Sequence, residues 1–143
     1  MSTLKAGSWV ASFGIAILLL AACAGQPAGS SSPTSPVTEE EARAMTQNML
    51  EAYNAADYAA WSRDWSQVMK DAIPEQAFLD FREQSMATTG EFEAIESITS
   101  RPGQNPGVTR WGSTVRFENG TYLFMIAFNE GSKLIEGVDL SPV

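Results

Sequence analysis

The run Trp111-Gly112-Ser113-Thr114-Val115-Arg116-Phe117-Glu118-Asn119-Gly120-Thr121-Tyr122-Leu123-Phe124-Met125-Ile126-Ala127-Phe128 decides the fold. Aromatic and β-branched residues flank Asn119-Gly120, a dipeptide that tolerates positive φ and so favours a tight two-residue hairpin. With Asn119-Gly120 as the turn, Phe117 faces Tyr122, Val115 faces Phe124 and Trp111 faces Phe128. These pairs share one face, whereas Gly112, Thr114 and Arg116 share the other. Register and hydrophobic pattern therefore agree, as they must when one face is buried.

Towards the C-terminus, Asn129-Glu130-Gly131-Ser132 reads as a second turn before a last strand, Lys133 to Leu140. If Glu130-Gly131 form that turn, Ile126 faces Ile135 and Leu123 faces Val138. A longer loop shifts the register, and the sequence leaves this open. Upstream, Arg101 to Gly107 holds two prolines and two glycines and is a loop. Phe92 to Thr99 reads as a further strand, but Phe92, Ile95 and Ile98 break the period of two, which predicts a bulge. The strands together predict an antiparallel meander of about four strands.

The pattern before Gly90 is helical. Thr38 with Glu39, Glu40 and Glu41 is a capping box and an acidic first turn. Ala42, Met45, Met49, Ala52, Tyr53 and Ala56 follow at helical spacing. Asp57 is placed to cap a second helix with the stripe Tyr58, Trp61, Trp65 and Met69. Ile73-Pro74-Glu75 opens a third, with Phe78, Phe81 and Ser85 turned inward and Gly90 as its stop. Three N-terminal helices packed on a curved antiparallel sheet make an α+β domain over residues 39–143.

Several stretches carry a family resemblance: Ala55-Ala56-Asp57-Tyr58, Ile73-Pro74, Gly90-Glu91-Phe92 and Lys133-Leu134-Ile135-Glu136-Gly137. In this order they resemble the nuclear transport factor 2-like (SnoaL-like, cystatin-like) cone domains found in prokaryotic lipoproteins. The resemblance implies a hollow between sheet and helices. It also implies a homodimer contact, and in the enzymes of that superfamily an acid, His or Tyr within the hollow.

Residues 1–38 address and tether the domain. Met1 and Lys5 supply a short positive region, and the apolar run from Trp9 to Ala22 suits a signal-peptide core better than a full membrane span. Leu20-Ala21-Ala22-Cys23 resembles the lipobox of prokaryotic lipoproteins. That resemblance implies cleavage after Ala22, within a signal peptide spanning 1–22, and a diacylglycerol on the Cys23 thiol. Anchoring on the extracytoplasmic face of the cell envelope follows. An uncleaved signal anchor and an ordinary cleaved leader are the alternatives. The linker, residues 23–38, is rich in Pro, Gly and Ser. It cannot build a core, and as a coil it spans about 20 Å.

Composition narrows the chemistry. With 17 acidic against 9 basic residues the net charge is -8, which disfavours nucleic acid and electrostatic attachment to an anionic membrane. There is one Cys and no His, so an internal disulfide is excluded and the commonest general base and metal ligand are missing. Neither a metal cluster nor a phosphate-binding glycine loop is present, and no cofactor is implied. Asp64, Glu96 and Glu136 are the candidate proton carriers, with Tyr53, Tyr58 and Tyr122 as hydroxyl donors. Each has an ordinary structural role at its position, so the chain reads as a non-catalytic binding or scaffolding module rather than an enzyme.

The residues expected to line the hollow are Tyr53, Trp61, Trp65, Phe78, Tyr122 and Phe124. A second apolar face, Leu123 and Met125 with Val138, is the expected interface for a homodimer or an envelope protein. Leu134 and Leu140 are expected to extend it. Two alternatives stand beside this reading: a carrier of a small apolar ligand, and a pocket enzyme of the ketosteroid isomerase type using a buried carboxylate.

Overall fold

The computed structural model describes residues 36–143. The expected signal peptide, the residues Leu20, Ala21, Ala22 and Cys23, and the expected linker up to Ser35 lie outside the described residues. Helix α1 (Glu39–Ala55) starts as its capping box dictates. The Thr38 hydroxyl accepts the Glu41 N–H at 3.2 Å, and the Thr38 N–H donates to the Glu41 carboxylate at 2.8 Å. Its buried face is Ala42, Thr46, Met49, Leu50, Ala52 and Tyr53. Arg82 closes the other end by donating to the Tyr53 and Asn54 carbonyls, a cation satisfying orphan C=O groups.

Where one second helix is expected, the chain makes two, so among the described residues four helices precede the sheet rather than three. They are α2 (Tyr58–Trp61), α3 (Gln67–Ala72) and, after Pro74, α4 (Glu75–Thr89). Asp57 caps α2 by accepting the Ala60 N–H at 3.0 Å. The break has a tertiary cause. Residues 64–66 leave the helical path because Ser66 N–H donates to Ile135 O and Ile135 N–H to Asp64 O, both at 2.9 Å, a parallel bridge to the sheet. Ser66 then recaps the chain by accepting the Met69 N–H at 3.3 Å. Trp61, Trp65 and Met69 stay buried although they no longer share a helix.

Strands β1 (Phe92–Arg101), β2 (Val108–Phe117), β3 (Gly120–Asn129) and β4 (Ile135–Pro142) form an open antiparallel meander in the order β1-β2-β3-β4. The irregular pattern of β1 is two register shifts, between Phe92 and Ala94 and between Ile95 and Ser97. The β2–β3 turn differs from expectation. Phe117 pairs with Gly120, so Glu118-Asn119 form the turn, and Val115 faces Tyr122 while Trp111 faces Ile126. Neither turn residue has positive φ.

The end of α4 selects this turn. Glu118 N–H donates to Glu91 O and Asn119 N–H to Thr89 O, each at 3.0 Å. At Gly90 a Cβ would come within 2.7 Å of the Glu118 Cβ, so only glycine admits the approach. The shift is two residues, and the side-chain period is two, so both faces keep their expected members.

The β3–β4 register moves by an odd number instead. Asn129 Oδ1 accepts the Gly131 and Ser132 N–H groups, both at 3.0 Å, and Lys133 turns left-handed at φ 58. This lengthens the loop, and a register shift between Ala127 and Phe128 puts Val138 opposite Ile126. Val138 and Leu140 therefore belong to the inner face, against expectation. Phe92, Phe117, Val115, Phe124, Ile126, Phe128 and Ile135 on that face meet Met49, Tyr53, Trp61, Trp65 and Phe78 from the helices. Full burial of each large apolar side chain is worth about 1.5–3 kcal/mol.

Candidate functional site

A cavity of about 320 Å³ remains between the helices and the inner face of the sheet. Leu50 and Tyr53 of α1, Trp61 of α2 and Ile73 before α4 form one wall, with Phe81 of α4 beside them; Phe117, Phe124, Val138, Asp139 and Leu140 form the other. It survives because α4 packs thinly. Of its residues only Phe78 and Thr89 are buried. Phe81, expected to face the core, is 43% exposed, and with exposed Asp139 it marks where the cavity meets solvent.

Of the residues expected to line a hollow, Tyr53, Trp61 and Phe124 do so. Trp65 and Phe78 do not, because they stack on Trp61: ring centroids are 4.3 Å apart for Trp61–Trp65 and for Trp61–Phe78. Tyr122 also falls outside the lining, standing edge-on to Phe117 at 5.4 Å. Leu50, Ile73, Phe117, Val138 and Leu140 were missed. Leu50 carried a signal, since it lies one helical turn before Asn54 beside buried Met49; the β4 pair depended on a register that sequence left open.

No acid points into this space. Asp64 is held by Arg63 at 3.0 Å, Glu96 by Arg116 at 3.1 Å, and Glu136 accepts from the Asn129 side chain at 3.1 Å. Asp139 alternates with Val138 and Leu140, so its side chain lies on the outer face, and what it offers the cavity is main chain. The Tyr53 hydroxyl is engaged by Ser85 at 2.9 Å and Thr89 at 3.3 Å, and the Tyr58 hydroxyl donates to Ile73 O at 2.8 Å. Trp65 Nε1 and Trp111 Nε1 are buried without a partner among the described residues, but neither residue lines the cavity. Among the described residues, no group of three or more Cys, Asp or Glu side chains is placed to hold a metal ion.

The expected interface changes with the register. Leu123 and Met125 lie on the outer face, but Val138 has moved inward. Met125 is only 7% exposed, since it lies over Gly112: a Cβ there would be 2.8 Å from the Met125 sulfur and 3.0 Å from Arg101 Nε. The outer apolar patch is thus smaller than its sequence suggests. Leu134, expected beside it, is exposed in the β3–β4 loop. Among the described residues, no helix is long and apolar enough to cross a membrane.

Fold and cavity define a class: a small α+β domain enclosing an apolar space between its helices and one face of a four-stranded antiparallel meander. The chain belongs to the family described as Protein of unknown function (DUF3887), which matches residues 46–136. That span includes the cavity residues from Leu50 to Phe124 and ends before Val138. The chain is also similar to a protein from Ruminococcus gnavus ATCC 29149 whose structure was solved by NMR, with a TM-score of 0.55 and 17% identity. The similarity covers 71% of this chain and 90% of that one, and it is a likeness of fold. No curated protein matches the chain.

Proposed function

We propose that the chain is a non-catalytic binding module, tethered to the extracytoplasmic face of a membrane by diacylglycerol on Cys23, whose cavity receives a small apolar group. One observation carries this reading: a cavity of about 320 Å³ lined by aliphatic and aromatic side chains, with every candidate acid turned elsewhere. A cavity of about 150 Å³ accepts benzene, so this one suits two rings or a chain of about ten carbons. Helices seated on the inner face of the meander support reading the domain as a nuclear transport factor 2-like cone. The Leu20-Ala21-Ala22-Cys23 stretch supports the tether, and with it envelope localisation.

Both parts are open to test. Radioactive fatty acid should label the wild type and spare Cys23→Ala; equal labelling of the two ends the tether reading. A ten-carbon alkyl diazirine, photolysed with the full chain in lipid nanodiscs, should saturably label Phe81, Val138 and Leu140. Label confined to residues before Pro36 would rule out the cavity as a binding site.

A further inference from the structure

The cavity does not open onto a plain surface. Its rim on one side is Val138-Asp139-Leu140 of β4, and β4 is an edge strand. Among the described residues, Ile135 is the last position of this strand whose main chain bonds outside the sheet, through Asp64 and Ser66. From Glu136 to Pro142 the outer row of N–H and C=O groups has no protein partner among the described residues. Among the described residues, Val138 and Leu140 therefore carry the unpaired main chain along this edge and also turn apolar side chains to the cavity, whereas the Asp139 main chain pairs with Met125 of β3. A free edge beside an apolar pocket is what an added strand uses: main-chain bonds hold it, and the pocket takes one of its side chains.

We infer that the occupant of this site is an extended, basic-flanked segment of a partner protein that adds to β4 and inserts one apolar side chain between Phe81 and Leu140. This rests on the cavity being a binding site. Three features favour a strand over a free apolar molecule. The unpaired main-chain groups would gain nothing from an apolar molecule, but they match an extended backbone. The same edge already accepts extended chain at Ile135, where Trp65 bridges it in parallel. Exposed Glu136 and Asp139 on β4, in a chain of net charge -8, attract cationic flanks.

The test uses the full chain in lipid nanodiscs and a fluorescein-labelled peptide of alternating Thr and Lys with one central Phe, read by fluorescence anisotropy. Saturable binding is expected. Replacing the central Phe by Ala should weaken it at least about tenfold. Methylating alternate main-chain nitrogens with all side chains kept should weaken it by about tenfold as well. The Glu136→Lys variant, outside the cavity lining, should bind the peptide more weakly and keep the uncharged diazirine label.

Peptide binding that ignores main-chain methylation overturns the inference. So does diazirine labelling of the cavity with no peptide binding, which leaves the cavity reading standing; failure of both probes removes both. Self-association through β4 that the peptide does not compete assigns the edge to a second copy and also overturns it.

Discussion

At one side of the sheet Asn54 grips Phe92 by both main-chain groups, accepting its N–H and donating to its C=O at 2.8 Å each, and two bulges interrupt β1. At the other side, among the described residues, β4 is gripped at Ile135 alone and its outer edge has no partner from there to Pro142. Edge strands invite unwanted pairing, and bulges, charges and covering side chains are the usual protection. The β1 edge has all three, with Arg116 drawn to Glu93 at 2.8 Å and Glu96 at 3.1 Å. The β4 edge is protected only where α3 begins, and the unprotected part borders the cavity. Helix α1 joins the two sides: Asn54 near its C-terminus holds β1, and Glu41 in its first turn pairs with Lys133 just before β4, at 2.7 Å. The difference between the edges separates the half of the sheet built for stability from the half left available.

The largest expected effect probes the gripped end of β4. Ile135→Ala, at a fully buried position beneath Trp65, should cost about 3 kcal/mol in urea unfolding. A cost near that of a surface change would mean that the packing of the Ile135 side chain contributes little. Asn54→Ala should cost about 2–3 kcal/mol, because it leaves both Phe92 main-chain groups unpaired at a half-buried site. If hydrogen exchange at β1 stays unchanged in that variant, the clamp is not what seals the edge.

Leu140→Ala, five positions along β4 from Ile135 but half-buried, should cost only about 1 kcal/mol while weakening cavity labelling. Equal costs for Leu140 and Ile135 would erase the contrast within the strand. Ala56→Gly should raise stability by about 0.5–1 kcal/mol, since Ala56 holds φ 55 at the end of α1 and glycine adopts it without the Cβ penalty. A lower melting midpoint for this variant would contradict that.

The smallest effect is the pH response of the α1–β4 tie. Lys133, donating to the Glu41 carboxylate, and then the Thr38 N–H hold that group below the usual glutamate range. A depressed folded-state pKa stabilises above the unfolded value, and the gain disappears as pH falls through the folded value. Wild type and Glu41→Gln should therefore differ in unfolding midpoint at pH 6 and converge as pH falls below about 4. A constant gap across that range would show that the pair does not couple α1 to the β3–β4 loop.

Much of the β1 side was legible. The capping box, the Asp57 cap, the Gly90 stop and the irregular strand from Phe92 all rest on local chemistry that one stretch of chain carries alone. Even the hairpin error was harmless to the faces, since it was a two-residue slip. The β4 side was not legible in the same way. Ser62, Asp64 and Ser66 are residues that favour breaks in a helix, but nothing near them in sequence says that Ile135 will bind the main chain at 64–66. Asn129 can cap its own loop, but only the finished sheet selects the register that turns Val138 inward.

The sequence by itself determined the order of helices before strands, the buried face of the central hairpin, and the absence of His and paired Cys, because composition, period and caps act over a few residues. The tertiary structure alone decided that the second helix divides, that Glu118-Asn119 make the turn, and that Val138 and Leu140 wall a cavity beside a free strand edge. Those outcomes come from hydrogen bonds between segments far apart in the chain. The main-chain groups that make them are the same in every residue, so the sequence does not specify which partners they find.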